Sequence, residues 1–457
     1  MTSSPPASPP GRWIKDRLLG KVVKNSTYLF ASNAISAILS IVTANLLGVS
    51  NFGVLGLVIG FVSDVNRLFS FRMGEVIVRY VGEALEHQNR ERAAAVIKAA
   101  ALAEAATSLL AFGVLVLLAP LGARLFIKDA AAVPLILLYG ITILGSLIAE
   151  TSNGILQVGG RFRSQAVLNL IQAVVTAALI ILAAVQKSGV LAVLWAYLAG
   201  KLIIGLGPAV LAWRHLPGLL GSNWLRTPFK HLPPLRELLR YAISTNFSGT
   251  INMIARDSEV MWVGFFFTSV EAGYFKMALS IVNLMIMPIT PFISTTFPEI
   301  TRSVASRSWQ RLRSLLGRVS IIAAGWTAAV VLGLLLLGRQ LLFEPLFTLA
   351  GHTFQLYTTD YLPAMPVLFI LLIGFGIANI LFWNRPLLLA LGQPEYSLKV
   401  GFWCMLVKVL LAVILLPAAG YLTEAALLSG YFLISVSWMV WRGLKTLHQL
   451  EKEPLKG

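Results

Sequence analysis

The sequence predicts an all-α, polytopic membrane protein with about 12 transmembrane helices, arranged as two parallel-repeat six-helix bundles around a central cleft. The composition, twelve long apolar stretches and a weak internal repeat predict this fold. Of the 457 residues, 57% are hydrophobic and 12% are charged, whereas soluble domains carry about 25% charged residues. A soluble enzyme of this length is excluded, because no globular core buries so much apolar surface. The single cysteine, Cys404, excludes a disulfide framework and a multi-cysteine metal site.

Twelve apolar stretches are long enough to supply the roughly 20 residues that one helix needs to cross a bilayer. They cover 27–48, 52–74, 99–119, 132–158, 165–186, 189–213, 241–267, 273–297, 316–337, 361–391, 395–417 and 420–441. The predicted organisation is a basic N-terminal segment (1–26), a six-helix bundle (27–213), a linker (214–240), a second six-helix bundle (241–441) and a tail (442–457). The first stretch is too long for a signal peptide, so we expect it to remain in the mature chain.

The formal net charge of +17 would suggest a nucleic-acid partner in a soluble protein. Membrane topology explains it instead. With the N-terminus inside, 26 of the 37 Lys and Arg residues fall in cytoplasmic segments and only four fall in external loops. Because Lys and Arg are retained on the cytoplasmic side, both termini are predicted to be cytoplasmic. Nucleic acid is therefore not an expected partner.

The sequence contains no recognisable catalytic motif for covalent chemistry. The longest external loop, around 338–360, has no cluster of carboxylates or histidines, and the five histidines of the chain show no metal-ligand spacing. No nucleophile elbow, P-loop or dinucleotide-binding fingerprint stands in a suitable context. The chain is therefore not expected to be an enzyme, and neither a cofactor nor a metal is expected.

The two halves of the chain resemble each other at an offset of about 220 residues. The segment LLGVSNFGVL (46–55) aligns with FFTSVEAGYF (266–275), which places Gly53 opposite Gly273. Six spans per half mean that both halves enter the membrane from the same side, so the repeats are parallel. Two such bundles with a cleft between them are typical of alternating-access transporters.

Polar residues inside the spans follow helical faces. Ser244, Ser248, Asn252, Arg256 and Glu259 recur at steps of four or three residues in the seventh span, and Ser32, Ser36 and Ser40 do so in the first. Residues at these steps share one face of a helix. Similar faces occur on the second and eighth spans, so these four helices are expected to wall the cleft.

Seven basic residues lie inside the predicted spans, where a charge costs about 2.5–3.5 kcal/mol and normally faces protein or water. They are Arg67, Arg72, Lys201, Arg256, Lys276, Arg385 and Lys408. Arg67 and Arg256 lie too deep for easy snorkelling, and each has a carboxylate three residues away, Asp64 and Glu259 respectively. Each pair either neutralises itself between helices or faces a water-filled cleft and a ligand.

The shallower and the peripheral cations leave further alternatives open. Snorkelling to the membrane surface is an alternative to a functional role for Arg72, Lys276 and Arg385, whereas Lys201 and Lys408 favour packing between helices. The acidic residues Asp64, Asp257 and Glu259 are candidates for binding a coupling Na⁺ ion or proton. These roles are hypotheses from residue type and depth alone.

Three segments resemble bacterial oligosaccharide flippases of the Wzx type, in the multidrug/oligosaccharidyl-lipid/polysaccharide exporter superfamily. They are ARDSEVMWVGFFFTSVEAGYFKMALSI (255–281), GEVIVRYVGEALEHQNRERA (74–93) and RPLLLALGQPEYSLKV (385–400). The resemblance implies that polyprenyl-pyrophosphate-linked oligosaccharide repeat units cross the bacterial inner membrane for O-antigen, capsule or exopolysaccharide synthesis. It also implies contact with membrane lipid, a polysaccharide polymerase and co-assembly proteins. The sequence leaves coupling to a Na⁺ gradient, to a proton gradient or to neither equally open.

A pyrophosphate head group needs fixed cations, and arginine binds it bidentately. We therefore expect Arg67 and Arg256 to be central contacts, Arg72, Lys276 and Arg385 to be further ones, and Asn252 and Ser36 to meet sugar hydroxyls. Two alternatives remain. A cation-coupled drug antiporter of the same superfamily should have an acidic cleft, and an integral-membrane glycosyltransferase or polymerase should carry catalytic acids in a sizeable loop.

Overall fold

The structure is a computed structural model that describes residues 17–70, 72–345, 347–349 and 352–452. The α-helices are α1 (Arg17–Phe69), α2 (Met73–Val76), α3 (Gly82–Glu86), α4 (Arg90–Gly122), α5 (Val133–Gly145), α6 (Ala149–Val158), α7 (Phe162–Val185), α8 (Val190–Leu220), α9 (Leu235–Asn252), α10 (Glu259–Phe266), α11 (Ser269–Ile286), α12 (Thr290–Ala305), α13 (Trp309–Phe343), α14 (Met365–Ile380), α15 (Asn384–Ala390), α16 (Pro394–Ala419) and α17 (Leu422–Lys452). Two short strands, β1 (Phe347–Leu349) and β2 (His352–Phe354), pair antiparallel.

Short irregular helices connect or extend these elements. π-helices span Ile77–Val81, Ala123–Ile127 and Met253–Asp257, and 3₁₀-helices span Ala130–Ala132, Trp224–Arg226, Phe229–His231 and Thr359–Ala364. The elbow formed by α2, the first π-helix and α3 buries Met73, Ile77 and Tyr80 in an apolar cluster with α4 and α8. This cluster closes one end of the first half of the protein.

Twelve helical passes follow from these elements. Within the described ranges, nine helical segments are long and apolar enough to span a membrane. The first of them contains two passes, because Gly48 interrupts α1 at φ 69°, a conformation that favours glycine. The seventh pass (235–266) and the eighth (269–305) are outside the nine, since each is broken and rich in polar residues. The predicted all-α membrane fold of about twelve helices is confirmed.

The chain reverses direction at Gly48. Ser40 and Gly56, eight residues to either side of it, contact Ser280 and Lys276, which lie one helical turn apart on α11. The first two passes therefore form a hairpin packed against the eighth pass. With an even number of passes, both described ends lie at the same face of the membrane, called here the terminal side, and the opposite face is the far side. Residues 1–16 of the predicted N-terminal segment are outside the described residues.

The two halves meet through reciprocal contacts. A methyl group at Gly53 would lie 1.7 Å from the Ser269 carbonyl oxygen, and one at Gly273 would lie 2.2 Å from the Val49 carbonyl oxygen. These two contacts are related by the same offset of 220 residues. Reciprocity of this kind is the signature of a two-fold axis. The weak sequence repeat thus corresponds to a pseudo-two-fold axis between the halves.

The far side is closed by contacts that cross between the halves. Asn45 of the first pass donates to the Leu356 carbonyl oxygen (2.9 Å) and accepts from the Thr358 N–H (3.2 Å). The Tyr361 hydroxyl donates to the Ala44 carbonyl oxygen at 2.9 Å, and the Tyr361 ring packs edge-on against Phe52. The loop that follows the hairpin of β1 and β2 is therefore fastened onto the first half.

Candidate functional site: a cationic cavity between the two halves

Three cavities lie in series between the halves, with volumes of about 650, 430 and 310 Å³. We call them the entry, middle and deep cavities. The entry and middle cavities share Arg256 and Phe375, and the middle and deep cavities share Arg67 and Asp257. They therefore form one path that narrows towards the closed far side.

The entry cavity begins at the terminal side. Its wall includes Arg72, just after the second pass, and Glu395, at the start of α16. Arg72 donates to Glu75 at 2.8 Å, and half of its side chain is exposed. Arg385 is exposed and has no carboxylate within 4 Å in the part of the chain that the structure describes. Arg385 is thus a free guanidinium, within Coulombic range of Arg72 and Arg256.

The middle cavity is organised around one carboxylate and two guanidinium groups. Asp257 accepts from Arg67 Nη1 at 2.8 Å and lies 3.2 Å from Arg256 Nε. Arg67 and Arg256 remain 52% and 47% exposed, so the carboxylate does not enclose either of them. The cluster has one net positive charge and joins the second pass to the seventh.

The deep cavity ends beneath the closed far side. Lys276 lies there with its Nζ 4.2 Å from the centre of the Phe52 ring and 3.4 Å from the Phe52 carbonyl oxygen. Its aliphatic chain fills the space left by Gly56, its own equivalent in the repeat, because a methyl group at Gly56 would lie 2.7 Å from Lys276 Cδ. Lys276 therefore sits at the pseudo-two-fold axis. Asp64 lines the same cavity.

The predicted pairing of Glu259 with Arg256 is wrong. Glu259 is fully buried and forms an ion pair with Lys408, which also lies 2.9 Å from Glu424. The π-helix Met253–Asp257 and the break at Ser258 are the physical reason. An inserted residue in a π-helical turn rotates the following helix, so Glu259 faces α16 and α17 while Arg256 faces the cavity. The packing role predicted for Lys408 is confirmed, since it ties three passes together.

The partner predicted for Arg67 also changes. Arg67 forms its ion pair with Asp257 of the opposite half, whereas Asp64, three residues away on the same helix, has no basic nitrogen within 4 Å in the described part of the chain. A carboxylate on a separate helix can approach the guanidinium head-on, whereas one on the same helix must bend back towards it. The contact between Arg67 and Asp257 therefore links the halves, which a same-helix pair would not do.

Replacing Lys408 with Met should lower the free energy of unfolding by about 3–5 kcal/mol, because two buried carboxylates lose the ammonium group that neutralises them. Thermal unfolding in detergent measures the effect. Lys399→Met is the matched control, since Lys399 is an exposed residue of the same helix. Adding Glu259→Gln and Glu424→Gln to Lys408→Met should recover part of the loss. A Lys408→Met protein as stable as the Lys399→Met protein would contradict this role.

The two residues predicted to meet sugar hydroxyls lie in different surroundings. Asn252 lines the entry cavity and donates to the Ser248 carbonyl oxygen at 3.0 Å. Ser36 is exposed outside the residues that line the three cavities, and its hydroxyl donates to the Ser32 carbonyl oxygen at 2.9 Å. The structure thus brings Asn252 together with the arginines and leaves Ser36 apart from them.

Several lining residues were not found by sequence reasoning. The tenth, eleventh and twelfth passes supply Asn379, Asn384, Ser397, Tyr431 and Ser435 to the entry cavity, whereas the first pass supplies none of its described lining residues. These polar residues stand singly among apolar ones and so form no stripe. The break between α14 and α15 (381–383) places Asn384 and Arg385 in the wall of the entry cavity.

The chain matches known proteins over most of its length. A model of the family described as "Polysaccharide biosynthesis protein" matches residues 22–304. Inner membrane protein YghQ of Escherichia coli (strain K12) is 23% identical over 338 residues, which are 72% of this chain and 94% of that protein.

Solved structures of similar fold belong to transporters. A multidrug resistance MATE family transporter of the MOP superfamily, in an inward-facing conformation, aligns with a TM-score of 0.71 at 17% identity, over 92% of this chain and 96% of its own. The lipid II flippase MurJ aligns with a TM-score of 0.70 at 16% identity, over 94% and 90%. At these identities the likeness establishes the fold. The chain belongs to the polysaccharide biosynthesis protein family and is a multi-pass membrane protein with the fold of MOP-superfamily transporters.

Proposed function

We propose that the protein is a flippase that moves polyprenyl-pyrophosphate-linked oligosaccharide repeat units across the bacterial inner membrane by alternating access. The observation that carries this proposal is the series of cations along one narrowing path. Arg72 and Arg385 lie in the entry cavity, Arg256 and Arg67 in the middle, and Lys276 at the closed end. An anionic head group would find a cation at each stage of its passage.

The charge balance supports an anionic substrate over a cationic drug. Arg385 is unpaired within the described residues, and Arg67 and Arg256 share one carboxylate. Guanidinium groups form bidentate hydrogen bonds with phosphate oxygens, and two phosphates can engage more than one arginine. Asn252, Asn379 and Asn384 offer amide groups to sugar hydroxyls along the same wall. A cation-coupled antiporter would instead need a surplus of free carboxylates here.

The distribution of Lys and Arg supports a cytoplasmic terminal side. In that orientation the entry cavity faces the cytoplasm, where lipid-linked glycans are assembled, and the far side faces outward. The closed contacts around Gly53, Asn45 and Tyr361 then belong to an inward-facing state. Transport requires these contacts to break while the terminal side closes.

Ion coupling is part of the proposal through Asp64. Of the three candidate carboxylates, Asp257 is engaged by Arg67 and Arg256, and Glu259 by Lys408. Asp64 has no basic nitrogen within 4 Å in the described part of the chain and lines the deep cavity. A proton or Na⁺ ion bound to Asp64 would couple transport to a gradient.

A leaflet-exchange assay in proteoliposomes tests the proposal. Fluorescent or radiolabelled polyprenyl-pyrophosphate-linked glycan should exchange between leaflets, whereas a neutral glycolipid of equal chain length should not. An imposed proton or Na⁺ gradient should accelerate net movement in the wild type and not in an Asp64→Asn variant. Equal exchange of the neutral lipid, or export of cationic drugs in place of the glycan lipid, would contradict the proposal.

A further inference from the structure

A second basic crevice lies in the first half of the protein, away from the central path. It has a volume of about 460 Å³ and is lined by Ile155, Leu156, Gly159, Arg161, Arg214, His215, Gly218 and Leu219. None of these residues lines the entry, middle or deep cavity. The walls come from the end of α6, the turn that leads into α7, and the last two turns of α8. The crevice therefore opens at the terminal side.

Its charge is positive and uncompensated. Arg161 and Arg214 are exposed and have no carboxylate within 4 Å among the described residues, and no acidic residue lines the crevice. His215 stands beside Arg214 with its ring held by a 2.7 Å contact between Nδ1 and the Leu211 carbonyl oxygen. Two guanidinium groups brought together without a counter-charge form a site for a phosphate group.

The depth of the crevice fits the membrane surface. Trp213, adjacent to Arg214, is 58% exposed and packs edge-on against Trp224, with 5.6 Å between the ring centres. Exposed tryptophans of membrane proteins gather at the level of the lipid head groups. Arg214 is therefore at head-group level.

The floor of the crevice is apolar. Ile155 and Leu156 are buried at its base, and Leu219 completes the wall. An apolar floor beneath two arginines matches a molecule that carries a phosphate above a glycerol and acyl chains. Basic pockets between transmembrane helices on the cytoplasmic side bind anionic lipid head groups in this way. A soluble anion would gain nothing from the apolar part.

We propose that this crevice binds the phosphate head group of an anionic membrane phospholipid. Arg161 and Arg214 hold the phosphate oxygens, and the acyl chains leave over Leu219 into the bilayer. The bound lipid joins the turn between α6 and α7 to the end of α8. This site is separate from the transport path, so it stands whether or not the proposed substrate is correct.

Thermal unfolding of the purified protein in detergent, titrated with phosphatidylglycerol, tests the proposal. Because a ligand that binds only the folded state raises its stability, phosphatidylglycerol should raise the melting temperature of the wild type and phosphatidylcholine should not. In the double variant Arg161→Gln, Arg214→Gln, the lipid concentration for half of the effect should rise about tenfold or more. Arg163→Gln is the matched control, since Arg163 is exposed at the start of α7, two residues from Arg161, and does not line the crevice.

Further measurements distinguish a lipid phosphate from inorganic phosphate and exclude misfolding of the variant as the cause of a lost effect. Inorganic phosphate at equal concentration should have no effect, and an equal effect would overturn the assignment to lipid. Arg385→Gln should leave the lipid effect intact, and its loss would place the lipid in the central cavity instead. Native mass spectrometry should count fewer bound phosphatidylglycerol molecules on the folded double variant than on Arg163→Gln. Equal counts would overturn the proposal.

Discussion

Replacement of both Arg256 and Arg385 with Gln is expected to lower the rate of glycan-lipid exchange by about a hundredfold or more. Each charge-assisted hydrogen bond to an ionised partner contributes about 1.5–3 kcal/mol, and these two guanidinium groups line the same cavity. Gln is shorter but still carries an amide that forms hydrogen bonds, and it loses the charge. The effect should appear both in proteoliposomes and as lost glycan export in cells.

The arginine prediction has two controls. Arg339→Gln removes an exposed positive charge that lies outside the cavity linings, and it should leave exchange unchanged. The double variant Arg256→Lys, Arg385→Lys keeps both charges but loses the planar guanidinium groups that bind phosphate bidentately. Its exchange rate should therefore lie between those of the wild type and the Gln variant. Wild-type exchange by the Gln variant, at equal amounts of folded protein, would show that the cavity cations do not bind the substrate.

Replacement of Gly53 with Ala is expected to slow transport at least fivefold by opposing closure of the far side. The added methyl group would lie 1.7 Å from the Ser269 carbonyl oxygen and 2.9 Å from the Gly273 nitrogen, both on the opposite half. Backbone atoms cannot swing aside as a flexible side chain does, so the halves must separate. Overpacking of this kind costs about 1–3 kcal/mol, which shifts a two-state equilibrium by roughly 5- to 150-fold.

The closure is measured by the accessibility of a cysteine at Ser40, whose hydroxyl meets that of Ser280 across the halves at 3.0 Å. In a Cys404→Ser background, Ser40→Cys should react faster with a membrane-impermeant maleimide from the far side once Gly53→Ala is added. Gly113→Ala is the matched control, because nothing lies within 4 Å of the added methyl group in that helix. Equal labelling and equal transport in the two Ala variants would contradict the close approach at Gly53.

Sequence reasoning reached the fold because its signals are local and repeated. Most passes appear in the sequence as a long apolar stretch, and charged residues mark the loops between the stretches. The offset of 220 residues aligned Gly53 with Gly273, and the structure places both at the contact between the halves. The cavity cations Arg67 and Arg256 were also found, because a charge inside an apolar stretch is conspicuous by itself.

Side-chain partners were less predictable, because helical spacing assumes an unbroken helix. The π-helical turn before Ser258 makes the side chains of Arg256 and Glu259 face different sides of the seventh pass. No residue in Met253–Asp257 is a sequence signal for this turn. Lys408 and Glu424 lie about 150 residues or more beyond Glu259, so only tertiary packing reveals their contact. For the same reason the contribution of the tenth to twelfth passes to the cavity was missed, apart from that of Arg385.

The affinity of the central cavity for a polyprenyl pyrophosphate, relative to the matching monophosphate and the free alcohol, tests the assignment of the substrate most directly. Titration of the purified protein with short-chain versions of the three lipids gives the three dissociation constants. The pyrophosphate should bind tightest and the alcohol weakest, and the preference should disappear in the Arg256→Gln, Arg385→Gln variant. Equal affinity for all three lipids in the wild type would contradict a cavity built for an anionic head group.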